Sequence, residues 1–192
     1  MQFKSVTAYL KALRDNPDLA MIPLSMVAEW KGISRSAVSE QVKSGNLEGI
    51  EIKGKNKVWR GIRPQALFVQ EAEIEAQSRQ RRDQVRTTLA QAAATGQQIS
   101  YGEAMTPAGL SSRNPRDRAE IGTLLSELSR ESLTGQGILI SAIVVQKTTG
   151  RPNAQFFALA RELGCLKNGA DEATFWRDQK ARVFRAFSAP SK

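Results

Sequence analysis

The 192-residue chain has no histidine and a single cysteine, Cys165. One cysteine excludes an internal disulfide and any multi-cysteine metal site. Without histidine, zinc enzymes, Ser-His-Asp hydrolases, Cys-His nucleophilic catalysis and HNH-type nucleases all lose their usual residue. The expectation is a protein that is not an enzyme, with no catalytic residue, cofactor or metal. A carboxylate-bound metal is the remaining route to catalysis. Glu103, Asp117, Glu120 and Glu127 are the only loosely grouped acids, and their spacing fits no metal-site pattern. No apolar run approaches the roughly 18 residues needed to span a bilayer, and the first residues lack the core of a signal peptide. The expected location is cytoplasmic, nucleoid-associated and away from membranes.

Positive charge is abundant. There are 28 lysines and arginines against 19 carboxylates, a net charge of +9 and a pI near 10.1. Such an excess suits steering towards phosphates and counterion release, and is also compatible with membrane surfaces or acidic proteins.

The most informative stretch runs from Leu24 to Val42. Its spacing predicts two short helices, with Ser25 capping the first, Gly32 and Ile33 in the turn, Ser34 capping the second and Gly45 stopping it. Val27, Ala28 and Trp30 fall on one side of the first helix, Ile33 on the corner, and Ala37, Val38 and Val42 on the inner side of the second, with Gln41 and Val42 competing for the last core position. The outer face of the second helix then carries Arg35, Ser36, Ser39, Glu40 and Lys43, all able to bond base edges or phosphates. Glu40 repels phosphate, which leaves it a base-reading or solvent-facing role. From Ile50 to Arg60 apolar and polar residues alternate on either side of Gly54–Asn56, the pattern of a β-hairpin bearing Lys53, Lys55, Lys57 and Arg60.

Residues 24–62 resemble the winged helix-turn-helix of the MerR and phage-excisionase families. The resemblance is carried by an S-x-x-A helix (Ser25, Ala28), a G-I-S turn (Gly32, Ile33, Ser34), a second helix with Arg35, Val38, Val42, Lys43 and Gly45, and then Leu47, Ile52, Gly54 and Trp59. It implies a DNA-binding helix followed by a wing, in a regulator of a bacterium or of its mobile elements.

Elsewhere, Val6, Tyr9, Leu10 and Leu13 predict a short helix over 6–14, ended by Asn16-Pro17-Asp18 and packed on the helix pair. Pro64 to about Thr95 has no internal glycine or proline and predicts one long helix closed by Gly96. Its apolar positions Leu67, Ile74, Val85 and Leu89 are sparse, so a coiled-coil dimer arm and a solvated connector both remain open. The run from Glu71, Glu73 and Glu75 to Arg79, Arg81, Arg82 and Arg86 fits antiparallel pairing with a second copy or an ordinary exposed face.

Beyond Gly96, the pattern predicts a helix from Tyr101, a second over 115–130 with Ile121, Leu124, Leu125 and Leu128 inward, and a flexible turn at Gly135-Gln136-Gly137. A strand at Ile138–Val145, a basic turn at 147–153, a helix around Phe156–Leu163 and a core-covering helix over 171–187 complete it. The order helix, helix, strand, basic turn suggests a second winged-helix-like module. Tyr101-Gly102-Glu103-Ala104 and Ile121-Gly122-x-x-Leu125 resemble the DNA-binding part of the alkyltransferase-like family, without its Pro-Cys-His-Arg motif. Ala142–Gly164 resembles a recurring bacterial domain of no assigned activity. Arg113, Arg116, Arg118, Lys147 and Arg151 are the candidates for a second DNA contact.

The expected fold is mainly α with small β wings (α+β): two winged helix-turn-helix-like modules joined by a long helix. The expected domains are 1–63, a connecting helix 64–96, 97–187 and a disordered tail 188–192. The expected function is sequence-specific binding of double-stranded DNA by a transcriptional regulator, with a homodimer and a protein partner both open. The alternative is an adaptor or architectural factor recruiting a protein through its C-terminal domain.

Overall fold

Serine, asparagine and aspartate open most of the helices, because their short side-chain oxygens accept the first unpaired backbone amides. The Ala8 N–H donates to Ser5 Oγ at 3.1 Å and starts α1 (Val6–Asp15). Asn16 ends α1 and accepts from the Asp18 N–H to begin a 3-10 turn, Pro17–Leu19. Around these lie strands β1 (Gln2–Phe3) and β2 (Ile22–Pro23), helices α2 (Leu24–Lys31) and α3 (Arg35–Lys43), and strands β3 (Gly49–Lys53) and β4 (Val58–Ile62). Then follow α4 (Pro64–Ala94), β5 (Ile99–Ser100), α5 (Tyr101–Met105), α6 (Pro115–Gln136), β6 (Val144–Val145), α7 (Ala154–Glu162) and α8 (Glu172–Phe187). This computed structural model describes residues 1–188 as a mainly helical chain with a small mixed sheet, an α+β architecture. Among the described residues no helix is long and apolar enough to cross a membrane. The chain forms two units, Met1–Gln77 and Ser78–Lys192, and the boundary falls inside α4.

In the first unit the hairpin belongs to a four-stranded sheet of order β1-β3-β4-β2, in which β1 runs parallel to β3 and the other pairs are antiparallel. The outer strands are two residues each, too short to show an alternating pattern, and the sequence did not reveal them. One core gathers Leu24, Val27 and Ala28 of α2, Val38 of α3, Leu47, Ile62 and Leu67 of α4. A second joins Tyr9 of α1 to Ile50 and Ile52 of β3, with Phe3, Leu13 and Met21 at its margin. The first helix therefore packs on the sheet and not on the helix pair, and its Leu10 faces solvent. Pro23, not Ser25, occupies the cap of α2, with no side-chain bond. Ile33, expected to plug the corner, and Trp30, expected on the inward side of α2, are both exposed, and the core there is made by Val27, Val38 and Leu47.

The second unit has its core between α4 (Val85, Leu89, Ala93), α5, α6, α7 and α8. The long helix thus divides its apolar residues between two cores: Leu67 serves the first, while Val85 and Leu89 serve the second. Three of its arginines, expected to meet a second copy or solvent, pair with α6, while Arg79 is exposed. Arg81 pairs with Glu120 at 2.8 Å, Arg82 with Glu127 and Glu131, and Arg86 with Glu131 at 2.7 Å. The α6 helix runs through Gly135 and Gln136 and ends only at Gly137, so the expected flexible turn is helical.

Ile138–Val145, expected as a strand, is one only at Val144–Val145, which pair in parallel with Ile99–Ser100. Ile140–Ile143 form a 3-10 turn. Every residue of the stretch is buried, so no polar face exists from which a period could be read. Part of its backbone is satisfied within the segment, as where Ala142 N–H donates to the Leu139 carbonyl, and part by side chains. Ile140 N–H donates to Ser132 Oγ at 3.1 Å and Ser141 N–H to Ser129 Oγ at 3.2 Å. Leu139 N–H points to Gln179 Oε1, and Trp176 Nε1–H donates to the Ala142 carbonyl at 2.8 Å. The two strands of this unit pair in parallel across the chain, so among the described residues it holds no hairpin where a second wing was expected. The α8 helix covers the core with Trp176 and Val183, and Ser188, expected in a disordered tail, bonds the Phe184 carbonyl. Residues 189–192, the rest of that tail, lie outside the described residues.

The Ser129 hydroxyl donates to Ser141 Oγ at 2.6 Å while accepting the Ser141 amide, all of it buried. Ser129→Ala is expected to lower the stability of this unit by about 1–3 kcal/mol, the cost of an orphaned buried amide. The check is urea unfolding followed by Trp176 fluorescence with Trp30 and Trp59, both exposed, replaced by phenylalanine.

Candidate nucleic-acid interface

The turn between α2 and α3 is built as its residue types require. Gly32 takes φ +62°, a left-handed conformation that costs other residues energy. The Ile33 N–H returns to the Ala28 carbonyl at 3.0 Å, and the Ala37 N–H donates to Ser34 Oγ at 3.1 Å to start α3. Val38 is fully buried and Val42 packs at the edge of the same core, so α3 is held by one side. Arg35, Ser36, Glu40 and Lys43 are exposed on the other, with Ser39 half-buried at the margin. Residues 35, 39 and 43 fall four apart and share one line along the helix. Gln41, the rival of Val42 for the core, turns its backbone carbonyl to Leu47 N–H while its buried Oε1 finds no protein partner.

The hairpin stands beside this helix with five paired positions, from Gly49 opposite Ile62 to Lys53 opposite Val58. Its tip is closed by Gly54 N–H donating to the Lys57 carbonyl at 2.8 Å, and the Trp59 ring lies so close over Gly54 that a Cβ there would stand 2.4 Å from it. Lys57 Nζ sits 5.9 Å from the centre of that ring. Lys53, Lys55 and Lys57 are exposed. A groove of about 490 Å³ lies between the margin of α3 (Ser39, Val42, Lys43) and the strands, with Leu47, Ile50, Glu51 and Arg60 also lining it.

The candidate cations are not equivalent. Lys43 Nζ lies 2.6 Å from Glu40 Oε1, and Arg60 Nε lies 2.7 Å from Glu51 Oε2 across the hairpin. Both pairs add little net charge to the surface. Among the described residues no carboxylate pairs with Arg35, Lys53, Lys55 or Lys57. The sequence concealed these pairings, since Glu51 and Arg60 meet only once the hairpin register is set.

This unit also exposes large apolar side chains: Met26, Trp30 and Ile33 from α2 and its turn, and Phe68 and Val69 from α4. Trp30 and Phe68 meet edge to face at 6.1 Å. Phe68 and Val69 fall outside the sparse apolar positions read for α4, whereas Trp30 and Ile33 were expected inward and are exposed.

In the second unit Arg113, Arg116, Arg118, Lys147 and Arg151 are all exposed. The four acids weighed for metal chemistry have other partners. The Glu103 carboxylate accepts from the Ser100 N–H, which with the Ser100 hydroxyl and the Lys147 charge holds it below the ordinary carboxylate range. Asp117 accepts from Ser111 N–H and Asn114 Nδ2, while Glu120 and Glu127 face α4 arginines. Among the described residues no cluster of acids or cysteine is placed to hold a metal ion. Cys165 is half-buried with its thiol towards the Leu163 carbonyl.

Comparison with protein-family models, curated proteins and solved structures finds no match to this chain.

The placement of α3 against β3 depends on a close contact: a Cβ at Gly49 would stand 2.5 Å from Val42 Cγ1. Gly49→Ala is expected to destabilise the first unit by about 1–3 kcal/mol through overpacking. Val42→Ala in the same chain should recover part of that loss in chemical denaturation, a sign of coupling that a purely conformational effect at Gly49 would not show.

Proposed function

We propose that the first unit is a winged helix-turn-helix and that the protein is a sequence-specific double-stranded DNA-binding protein, a transcriptional regulator of a bacterium, phage or plasmid. The observation that carries the proposal is the exposed outer line of α3, headed by an unpaired Arg35, beside a hairpin whose three lysines have no carboxylate partner. In this mechanism α3 enters the major groove and the hairpin follows the sugar-phosphate backbone. Arg35 supplies a two-pronged donor suited to guanine O6 and N7, and the Ser36 and Ser39 hydroxyls serve as donors or acceptors at base edges or phosphates. Glu40, neutralised by Lys43, no longer repels the backbone strongly and can accept from an exocyclic amine. Lys53, Lys55 and Lys57 supply the sequence-independent attraction, while Arg60 works mainly to hold the strands through Glu51.

A second reading is an adaptor. The exposed apolar side chains Met26, Trp30 and Phe68 favour it, with the docking face in the first unit in place of the C-terminal domain expected from the sequence. A stable partner retained at high salt and lost in Trp30→Ala would support that reading.

The decisive experiment is a titration of the pure protein on genomic fragments at two salt concentrations with competitor DNA. A small retained set is expected. Arg35→Ala should weaken binding to that set more than to random duplex, by about 1–3 kcal/mol. Lys55→Ala should weaken both equally and lower the salt slope by about one unit, whereas Arg60→Ala should lower it by less. Equal losses for all three on both DNAs would remove the groove-reading assignment.

A further inference from the structure

The basic surplus of the chain is unevenly held. Residues 1–77 carry eleven lysines and arginines against nine carboxylates, and residues 78–192 carry seventeen against ten, which together make the net +9. In the second unit the acids are already engaged. Asp83, Glu120, Glu127 and Glu131 pair with arginines of α4, Glu162 with Arg130, and Glu172 with Arg161. Glu103, Asp117 and Asp171 accept backbone amides at or near the starts of α5, α6 and α8. Only Asp178 has neither role among the described residues. The cations left over form no ion pair among the described residues, although Lys147 acts on the Glu103 charge and Arg118 Nη1 donates to the Ser112 carbonyl at 2.9 Å.

The segments that carry three of them converge. The β5–β6 ladder sets Ser100 beside Val145, and two residues further Lys147 lies near enough to Glu103 to act on its charge. Gly122, one turn beyond Arg118 on α6, approaches α7 so closely that a Cβ there would stand 3.2 Å from Gln155 Oε1. Tyr101, Gly122, Asn153 and Gln155 line one shallow depression, so the segments carrying Arg118, Lys147 and Arg151 meet around it. At the start of α6 the Arg116 N–H is served by Asn114 Oδ1 and Asp117 takes the Ser111 amide, which leaves the exposed arginine side chains as the main donors to a ligand.

We propose that the second unit makes a separate, sequence-independent contact with the phosphate backbone of duplex DNA through Arg118, Lys147 and Arg151, with Arg113 and Arg116 alongside. Arginine forks suit phosphate oxygens, and neutralising phosphates releases counterions. All exposed large apolar side chains among the described residues, from Met1 to Ile74, belong to the first unit. The second has no apolar anchor for a bilayer or for a hydrophobic partner, and its surface is suited to a polyanion. The choice of DNA as the polyanion rests on the proposed function of the first unit.

The test uses the full chain and a random-sequence duplex, with affinity measured across a salt series. The triple variant Arg118→Gln/Lys147→Gln/Arg151→Gln is expected to lower the salt slope by roughly 2 to 3 units, at about 0.9 per phosphate released, and affinity more than tenfold at low salt. A control triple, Lys4→Gln/Lys11→Gln/Arg14→Gln, removes the same charge from exposed positions of the first unit and should change the slope by less than one unit. Equal slopes for the two triples, an unchanged slope in the first, or tighter binding of the wild type to anionic vesicles than to the duplex would overturn the proposal. Should Arg35→Ala and Lys55→Ala leave binding intact while the first triple abolishes it, the groove-reading function falls and this contact stands. Absence of any duplex binding by the wild type would remove both.

Discussion

A buried amide or carbonyl without a partner costs as much as a lost hydrogen bond, and the second unit is arranged around one segment where that cost threatens. Ile138–Val145 passes through the core with all eight residues buried, and only its last two reach a strand partner. Of the other polar groups some bond within the segment, and the rest are met by Ser129 and Ser132 from α6 and by Trp176 and Gln179 from α8. Each bond ties a helix to the segment at a fixed height. Hydrophobic burial alone is non-directional and would let α6 and α8 slide over so uniform an apolar stretch. The serines and the indole remove that freedom.

The same partition of tasks governs charge. Most carboxylates in the second unit pair with arginines within or between helices or serve helix starts, so these acids are used for construction. Of the surplus cations, Arg118 and Arg182 donate to the Ser112 and Gly137 carbonyls, and none of the rest is paired with a carboxylate among the described residues. In the first unit the division is finer. Glu40 and Glu51 each engage a cation of the candidate interface, which leaves Arg35 at the start of α3 and the lysines of the hairpin tip as its active charges. Half-exposed pairs of this kind contribute little stability, so their main effect is on where net charge appears.

The α4 helix shows why its sequence looked neither like a coiled coil nor like a plain connector. Leu67 is buried in one core and Val85, Leu89 and Ala93 in another, while Ile74 between them is exposed. A helix that answers to two cores in succession needs two short apolar stripes in place of one continuous seam.

The sequence by itself determined the features whose causes lie within a turn or a hairpin: the Gly32 turn, the Ser34 cap, the tip at Gly54, the span of α4 and the inward stripe of α6. Their energies depend on residues at most a few positions apart, so composition and spacing suffice. The candidate interface was legible to the same extent: the residues of α3 and the hairpin could be named in advance, but not which of their charges are cancelled. Tertiary structure alone decided the outer strands β1 and β2, the seat of α1 on the sheet, the exposure of Trp30 and Ile33, and the 3-10 path of Ile138–Val145. Those outcomes turn on partners far along the chain, such as Gln179 forty residues from Leu139. Periodicity records which face of an element is apolar. It carries no record of what that face meets, and an element buried on every side has no periodicity to read.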